Sequence, residues 1–188
     1  KVDILSKIKL DALRNDTIQS QAHQLLMKSE SGILVLSCGV GKTVIALHTA
    51  AQFQHPFLVV VYSSGLAQQW IGEINRHLTT SRGKPPVVGL VGEGKNEWTK
   101  PIVVGSINTI SDHYKDLPEE IRNRFFAVIY DEGDILGAAE FGKAAAMFPG
   151  RRWTLSATPK RADGLEEMYY LHTGRPIMTY LRQDLKPA

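Results

Sequence analysis

The sequence predicts an α/β protein in which a parallel β-sheet is covered by helices on both faces. Short runs rich in Val, Ile and Leu take turns with stretches of helical apolar spacing, the order that builds β-α-β units. None of the runs alternates apolar with polar residues, so each is expected to be buried on both faces, as strands of a covered parallel sheet are. Polar motifs follow the runs directly, and in open α/β sheets ligands sit beyond the carboxyl ends of the strands.

In chain order the strand-like runs are residues 32–37 (GILVLS), 57–62 (FLVVVY), 86–91 (PVVGLV), 101–106 (PIVVGS), 126–131 (FAVIYD) and 153–157 (WTLSA). Helical patterns occupy residues 18–27, 42–53, 66–78, 107–114 and 140–148, between or before those runs. Residues 79–100 are loop-like at both ends, with SRGKPP first and GEGKN later. After residue 165 the sequence offers a short helix and a tail, GRPIMTYLRQDLKPA. A length of 188 residues suits one domain that closes an apolar core without disulfide or metal. With 43% hydrophobic and 22% charged residues, disordered and fibrous classes are excluded. A net charge of +3 permits a polyanionic partner without forming a basic tail or stripe. One cysteine, no secretory signal and no long apolar run predict an intracellular, reducing compartment and no membrane partner.

Residues 36–43, LSCGVGKT, end like a phosphate-binding loop, although Leu36 stands where the common G-x-x-x-x-G-K-[ST] pattern has its first glycine. The flanking run and helix supply the strand, loop and helix that such a loop requires, and Gly39 and Gly41 can carry its curvature. Backbone N–H groups then face one anion, Lys42 reaches the outer phosphates, and Thr43 offers a hydroxyl to Mg²⁺. Asp131 and Glu132 end a buried run, where adjacent acids rarely serve packing; Asp131 suits a metal held through water and Glu132 an attacking water. In LSATP (155–159), Ser156 and Thr158 can hydrogen-bond the acidic loop and sense a γ-phosphate. Together these elements point to nucleoside triphosphate hydrolysis.

The order QSQ, GVGKT, YSSGLAQQW, VVGSINTI, YDEGD and LSATPKRADGL resembles the first RecA-like, ATP-binding lobe of superfamily 2 helicases and translocases, over about residues 17–165. Within that superfamily it is most similar to the DNA helicases related to XPB, UvsW and large-DNA-virus enzymes, matching at Arg161, Asp163, Gly164 and Leu165 and suggesting a viral or phage source. The resemblance implies a RecA-like P-loop NTPase sheet flanked by helices, with ATP and Mg²⁺ as cofactors and nucleic acid, DNA rather than RNA, as partner. It implies motif I at Gly39, Gly41, Lys42 and Thr43, with Cys38, Val40 and Val44 also expected at the nucleotide, motif II at Asp131 and Glu132, and motif III at Ser156, Ala157 and Thr158. Gln19 resembles the adenine-reading glutamine, Ser63 and Ser64 fall in motif Ia, and Ser106 falls where motif Ib lies; these serines are expected to hold backbone phosphates. DEGD departs from the commoner motif II wording, so Gly133 offers no side chain for relaying nucleotide state and Asp134 is expected to replace that link. Arg14 departs from the spacing seen in the XPB-like group.

Several residues receive plainer readings. Trp70 shares helical spacing with Leu66, Ile74 and Leu78 and is expected in the core rather than against a base. Cys38 is expected to be a small filler, and the six histidines, which lack metal-ligand spacing, are expected on helix surfaces or in loops. Arg151, Arg152, Lys160 and Arg161 are expected as a basic group around motif III, either solvated or touching DNA or the second lobe. The chain as a whole, residues 1–188, is expected to be one RecA-like lobe of a longer protein whose second lobe lies outside it. Function at this level is an ATP-binding lobe of a DNA-unwinding or translocating motor; an RNA helicase, a duplex-translocating restriction or remodelling motor, and a non-catalytic binding module stay open.

Overall fold

The six apolar runs form six strands, and every pairing between them is parallel. The computed structural model describes residues 1–10, 16–132, 138–158 and 166–181. In chain order its elements are β1 (Leu5–Ser6), α1 (Asp16–Lys28), β2 (Ser31–Leu36), α2 (Lys42–Gln52), β3 (Phe57–Val61), α3 (Ser64–His77), β4 (Leu78–Thr79), β5 (Val88–Gly92), β6 (Lys95–Asn96), β7 (Ile102–Ser106), α4 (Ile107–Asp112), α5 (Glu119–Arg122), β8 (Ala127–Asp131), α6 (Ala138–Met147), β9 (Arg151–Ser156), α7 (Glu166–Thr173) and β10 (Pro176–Tyr180). The main sheet has the order β10-β2-β9-β8-β3-β7-β5-β6, parallel throughout except for the β5-β6 hairpin.

Period-two geometry divides each strand between two cores. Phe57, Val59 and Val61 of β3 pack with α1, α2 and α3, while Leu58 and Val60 pack with α4 and α6 on the other face. Every residue of β3 and β8 is buried, as the unbroken apolar runs predict. The same alternation sends the Asp131 side chain to the face that carries α2 and α3.

The tail holds an edge strand that its sequence does not announce. β10 pairs with β2, and Ser37 N–H donates to Tyr180 O at 3.0 Å, just where β2 gives way to its loop. Pro176 is the first residue of β10, a place an edge strand tolerates, and Ile177 fills the space left by Gly32, where any Cβ would overlap it. Arg151 and Arg152 stand at the entry of β9, a full strand length from Ser156, so they do not join a basic group around motif III. Arg151 instead donates to Ser29 O at 2.7 Å and lies over the Phe53 ring at 5.1 Å.

Two histidines leave the surface that their scatter in the sequence suggests. His23 of α1 and His48 of α2 meet edge to face at 4.8 Å, both partly buried. Thr49 donates its hydroxyl to Ile45 O, so the 2.9 Å contact between His23 Nδ1 and Thr49 Oγ1 takes its proton from the imidazole. His48 Nδ1 shares a 2.9 Å hydrogen bond with Ser6 Oγ of β1. Desolvation lowers both pKa values from 6.5, and the neighbouring His48 lowers that of His23 further. The unfolded chain therefore takes up these protons first as pH falls, so the pair's contribution is present above about pH 6.5 and is lost below it. Urea unfolding of the native chain should show stability declining from pH 7.5 to about 5.5 through this pair, with a shallower decline in the His23→Gln/His48→Gln variant. An unchanged slope in that variant would exclude the pair as a source of acid sensitivity.

Candidate functional site

β2 delivers the chain to a loop whose curvature rests on left-handed backbone at Gly39 (φ 77) and Gly41 (φ 95). Leu36, in the usual first-glycine position, is the fully buried last residue of β2, and no left-handed turn is needed there. Gly41 caps α2 without a side-chain bond, and the first turn of α2 carries no acidic residue. The opening N–H groups of α2 are thus available to an anion, with the helix dipole behind them. Lys42 Nζ sits at the mouth of the loop, donating to Leu36 O at 2.9 Å. Val40 is buried, Thr43 and Val44 are half-buried, and Cys38 is exposed rather than a packed filler.

Gln19 of α1 reaches this loop from the side. Its Nε2 donates to Val40 O at 2.6 Å, and the residue is only 5% exposed. A Cβ on Gly41 would stand 2.5 Å from that same Nε2, whereas one on Gly39 would meet nothing within 4 Å. Gln19 Oε1 is buried without a hydrogen-bond partner. Such an acceptor calls for a donor, and the amino group of an adenine is one.

The strand order β2-β9-β8 sets the remaining motifs beside the loop. Asp131 is opposite Leu155, and Val35 is opposite Ser156. Asp131 ends β8 at 8% exposure, and Trp70 of α3 donates its indole Nε1–H to Asp131 Oδ2 at 2.6 Å. Trp70 is in the core, 2% exposed, as its spacing predicts. Glu132 turns away from the strand with φ 48, a conformation uncommon for a non-glycine residue and concentrated at functional sites. Ser156 donates to Thr158 O at 2.8 Å and accepts from Thr158 N–H at 3.1 Å, closing a short turn around Ala157. Gly39, Lys42, Asp131, Glu132 and Ser156 therefore share one rim of the sheet. The donor set fits a nucleotide with a hard divalent cation: free helix amides, an ammonium, a hydroxyl, two carboxylates and an orphaned buried acceptor. Arg14, Gly133, Asp134, Lys160, Arg161, Asp163, Gly164 and Leu165 lie outside the described residues.

Past β8, the ends of β3, β7 and β5 form a separate groove of about 370 Å³. It brings Ser63, Ser64 and Ser106 together, and adds Tyr62, Asn108 and Glu93. Two of the three serine hydroxyls are already committed to helix ends: Ser63 Oγ accepts from Leu66 N–H at 3.4 Å and Ser106 Oγ from Thr109 N–H at 3.3 Å. The N-cap preference of serine before a helical pattern is the signal for this use. Asn108 lies within the GSINTI stretch, whereas Glu93 lies in the GEGKN loop, whose composition marks a turn but not its place beside these serines.

The sheet order and the loop, acid pair and hydroxyl turn at its rim define a P-loop nucleotide-binding fold of the RecA-like kind. A family profile described as "Type III restriction enzyme, res subunit" matches residues 6–161, and the chain belongs to that family. Among curated proteins it is 32% identical over 161 residues to the DNA 3'-5' translocase XPB2 of Sulfurisphaera tokodaii, covering 85% of this chain and 34% of that protein. It is 33% identical over 132 residues to the probable helicase D10 of Escherichia phage T5, covering 70% of this chain and 27% of that one. The crystal structure of the UvsW helicase from bacteriophage T4 superimposes with a TM-score of 0.67 at 19% identity, over 94% of this chain and 63% of that chain. This shared fold is a mostly parallel sheet flanked by helices. The chain thus spans between about a quarter and a third of the length of the curated relatives it matches.

The two left-handed glycines separate backbone strain from side-chain overlap. An L-residue in left-handed backbone costs roughly 1–2 kcal/mol, so Gly39→Ala should lower unfolding stability by about that much. Gly41→Ala should cost more, because its Cβ also displaces Gln19; equal losses in denaturant titrations would show that Gln19 does not buttress the loop.

Proposed function

We propose that this chain is the ATP-binding first lobe of a DNA-stimulated motor that unwinds or translocates on DNA. The observation that carries this is the convergence of the uncapped start of α2, Lys42 and the Asp131-Glu132 pair on one rim. The relatives named as a DNA translocase and a helicase support it, as does the groove beside that rim. The reading places the protein inside a cell in a reducing compartment, with DNA preferred over RNA and a second RecA-like lobe completing the site. No helix among the described residues is long and apolar enough to cross a membrane.

Bound ATP·Mg²⁺ supplies the phosphoanhydride whose cleavage drives the motor and the metal that offsets its charge. The N–H groups of Gly39 and of Gly41 to Thr43 bind the phosphates, that of Val40 being held on Ser37 O at 3.3 Å, and Lys42 leaves the Leu36 carbonyl to neutralise the outer ones. Thr43 and Asp131 would hold the metal. Glu132 orients a water and takes its proton. Gln19 orients the base by accepting at Oε1, its Nε2 being fixed on Val40. Ser156 and Thr158 carry the state of the rim toward the second lobe. Ser64 and neighbouring amides position one strand by its phosphates, without reading its sequence, while Ser63 and Ser106 hold the helix ends that carry those amides.

Steady-state ATPase assays on the full-length protein, at one fixed salt concentration, test this. Duplex or single-stranded DNA should stimulate hydrolysis more than RNA does. Lys42→Ala should reduce turnover by about 10²-fold or more, and Glu132→Gln by about 10²–10⁴-fold. Residues 1–188 alone should hydrolyse poorly, since a transition-state arginine from another lobe is worth about 10³-fold or more. Stimulation by RNA alone would reassign the polymer, and turnover unaffected by either substitution would leave a non-catalytic binding module.

A further inference from the structure

We infer that Trp70 is a positioning residue for Asp131, its indole N–H holding the metal-binding carboxylate in one orientation at the end of β8. The inference rests on the reading of Asp131 as a metal-site residue. Trp70 and Asp131 are 61 positions apart, yet they meet at 2.6 Å with both side chains buried. A charged acceptor gives such a bond about twice the strength of a neutral pair. Burial excludes competing water from it. Asp131 extends from a strand that ends there, and the turn at Glu132 is left-handed. A carboxylate on a chain end of this kind needs an outside group to fix its rotamer, and outer-shell donors to metal-binding carboxylates serve that purpose.

The helix that supplies the donor is itself well anchored. α3 buries Ala67, Trp70 and Ile74 against the sheet, and Ser63 caps its start. Trp70 is therefore delivered by a rigid element that borders the groove at Ser64 and at Ala67, three residues before Trp70. The indole could pack as a hydrophobe without this bond, which sets the question an experiment must separate.

Binding of the fluorescent nucleotide mant-ADP to the 188-residue chain and to the full-length protein, titrated with Mg²⁺, makes that separation. Trp70→Phe keeps much of the packing and removes the donor. A second variant with β-(3-benzothienyl)alanine at position 70 keeps the ring size and replaces N–H by sulfur. Both should need about tenfold more Mg²⁺ for half-saturation, with metal-free nucleotide affinity unchanged. In ¹⁵N spectra, the Trp70 indole resonance should move when Asp131→Asn is introduced and broaden with Mn²⁺ and ADP. If the benzothienyl variant restores native Mg²⁺ dependence, or the resonance ignores Asp131→Asn, Trp70 is a packing residue only. If the native protein shows no metal dependence of nucleotide binding, the assignment of Asp131 fails first and takes the inference with it.

Discussion

The motifs that follow β2, β3, β7, β8 and β9 reach the same rim because the six central strands run in one direction. A parallel pair needs a crossover, and crossovers of one hand return the chain to the same end of the sheet. The consequence is that sequence-distant segments, after β2, β3, β7, β8 and β9, become spatial neighbours. The order of strands then divides the rim: β2, β9 and β8 present the phosphate loop and the acids, whereas β3, β7 and β5 present the groove. β8 and β3 are adjacent, so the two sites share a border. The bond between Trp70 and Asp131 crosses that border.

The loop itself is shaped by two kinds of requirement that meet at Gly41. Its backbone is left-handed, and its Cα is overlaid by the Gln19 amide. Gln19 thereby does two things with one side chain, since its Nε2 fixes the loop at Val40 while its buried Oε1 lacks a donor. β10 supports the other end of the loop through the Ser37 N–H. The loop is thus held from α1 and from the sheet edge, and pre-organisation of this kind lowers the cost of binding a ligand.

Much of this was legible in the sequence, for identifiable reasons. Strands buried on both faces leave unbroken apolar runs, and GILVLS, FLVVVY and FAVIYD became β2, β3 and β8 with shifts of about one residue at their ends. Phosphate-loop chemistry is local, so Gly39, Gly41, Lys42 and Thr43 could be read together. β10 escaped because an edge strand is half-exposed and lacks such a run; its Ile177 seats on Gly32, far away in sequence. β1, β4 and β6 are two residues each, too short for any period. Helical spacing placed Trp70 in the core but could not name the acceptor for its N–H, although a buried indole usually has one. Arg151 and Arg152 looked close to Ser156 in sequence, and an extended strand carries them to the opposite end of the sheet. His23 and His48 form a pair only because α1 packs on α2.

Hydrogen–deuterium exchange of the full-length protein, with and without a non-hydrolysable ATP analogue and Mg²⁺, locates the nucleotide without relying on turnover. Exchange should slow in the loop and first turn of α2, together with the ends of β8 and β9 around Asp131 and Ser156. Protection confined to other parts of the chain, with residues 38–45 exchanging as they do without nucleotide, would contradict a nucleotide site on this loop.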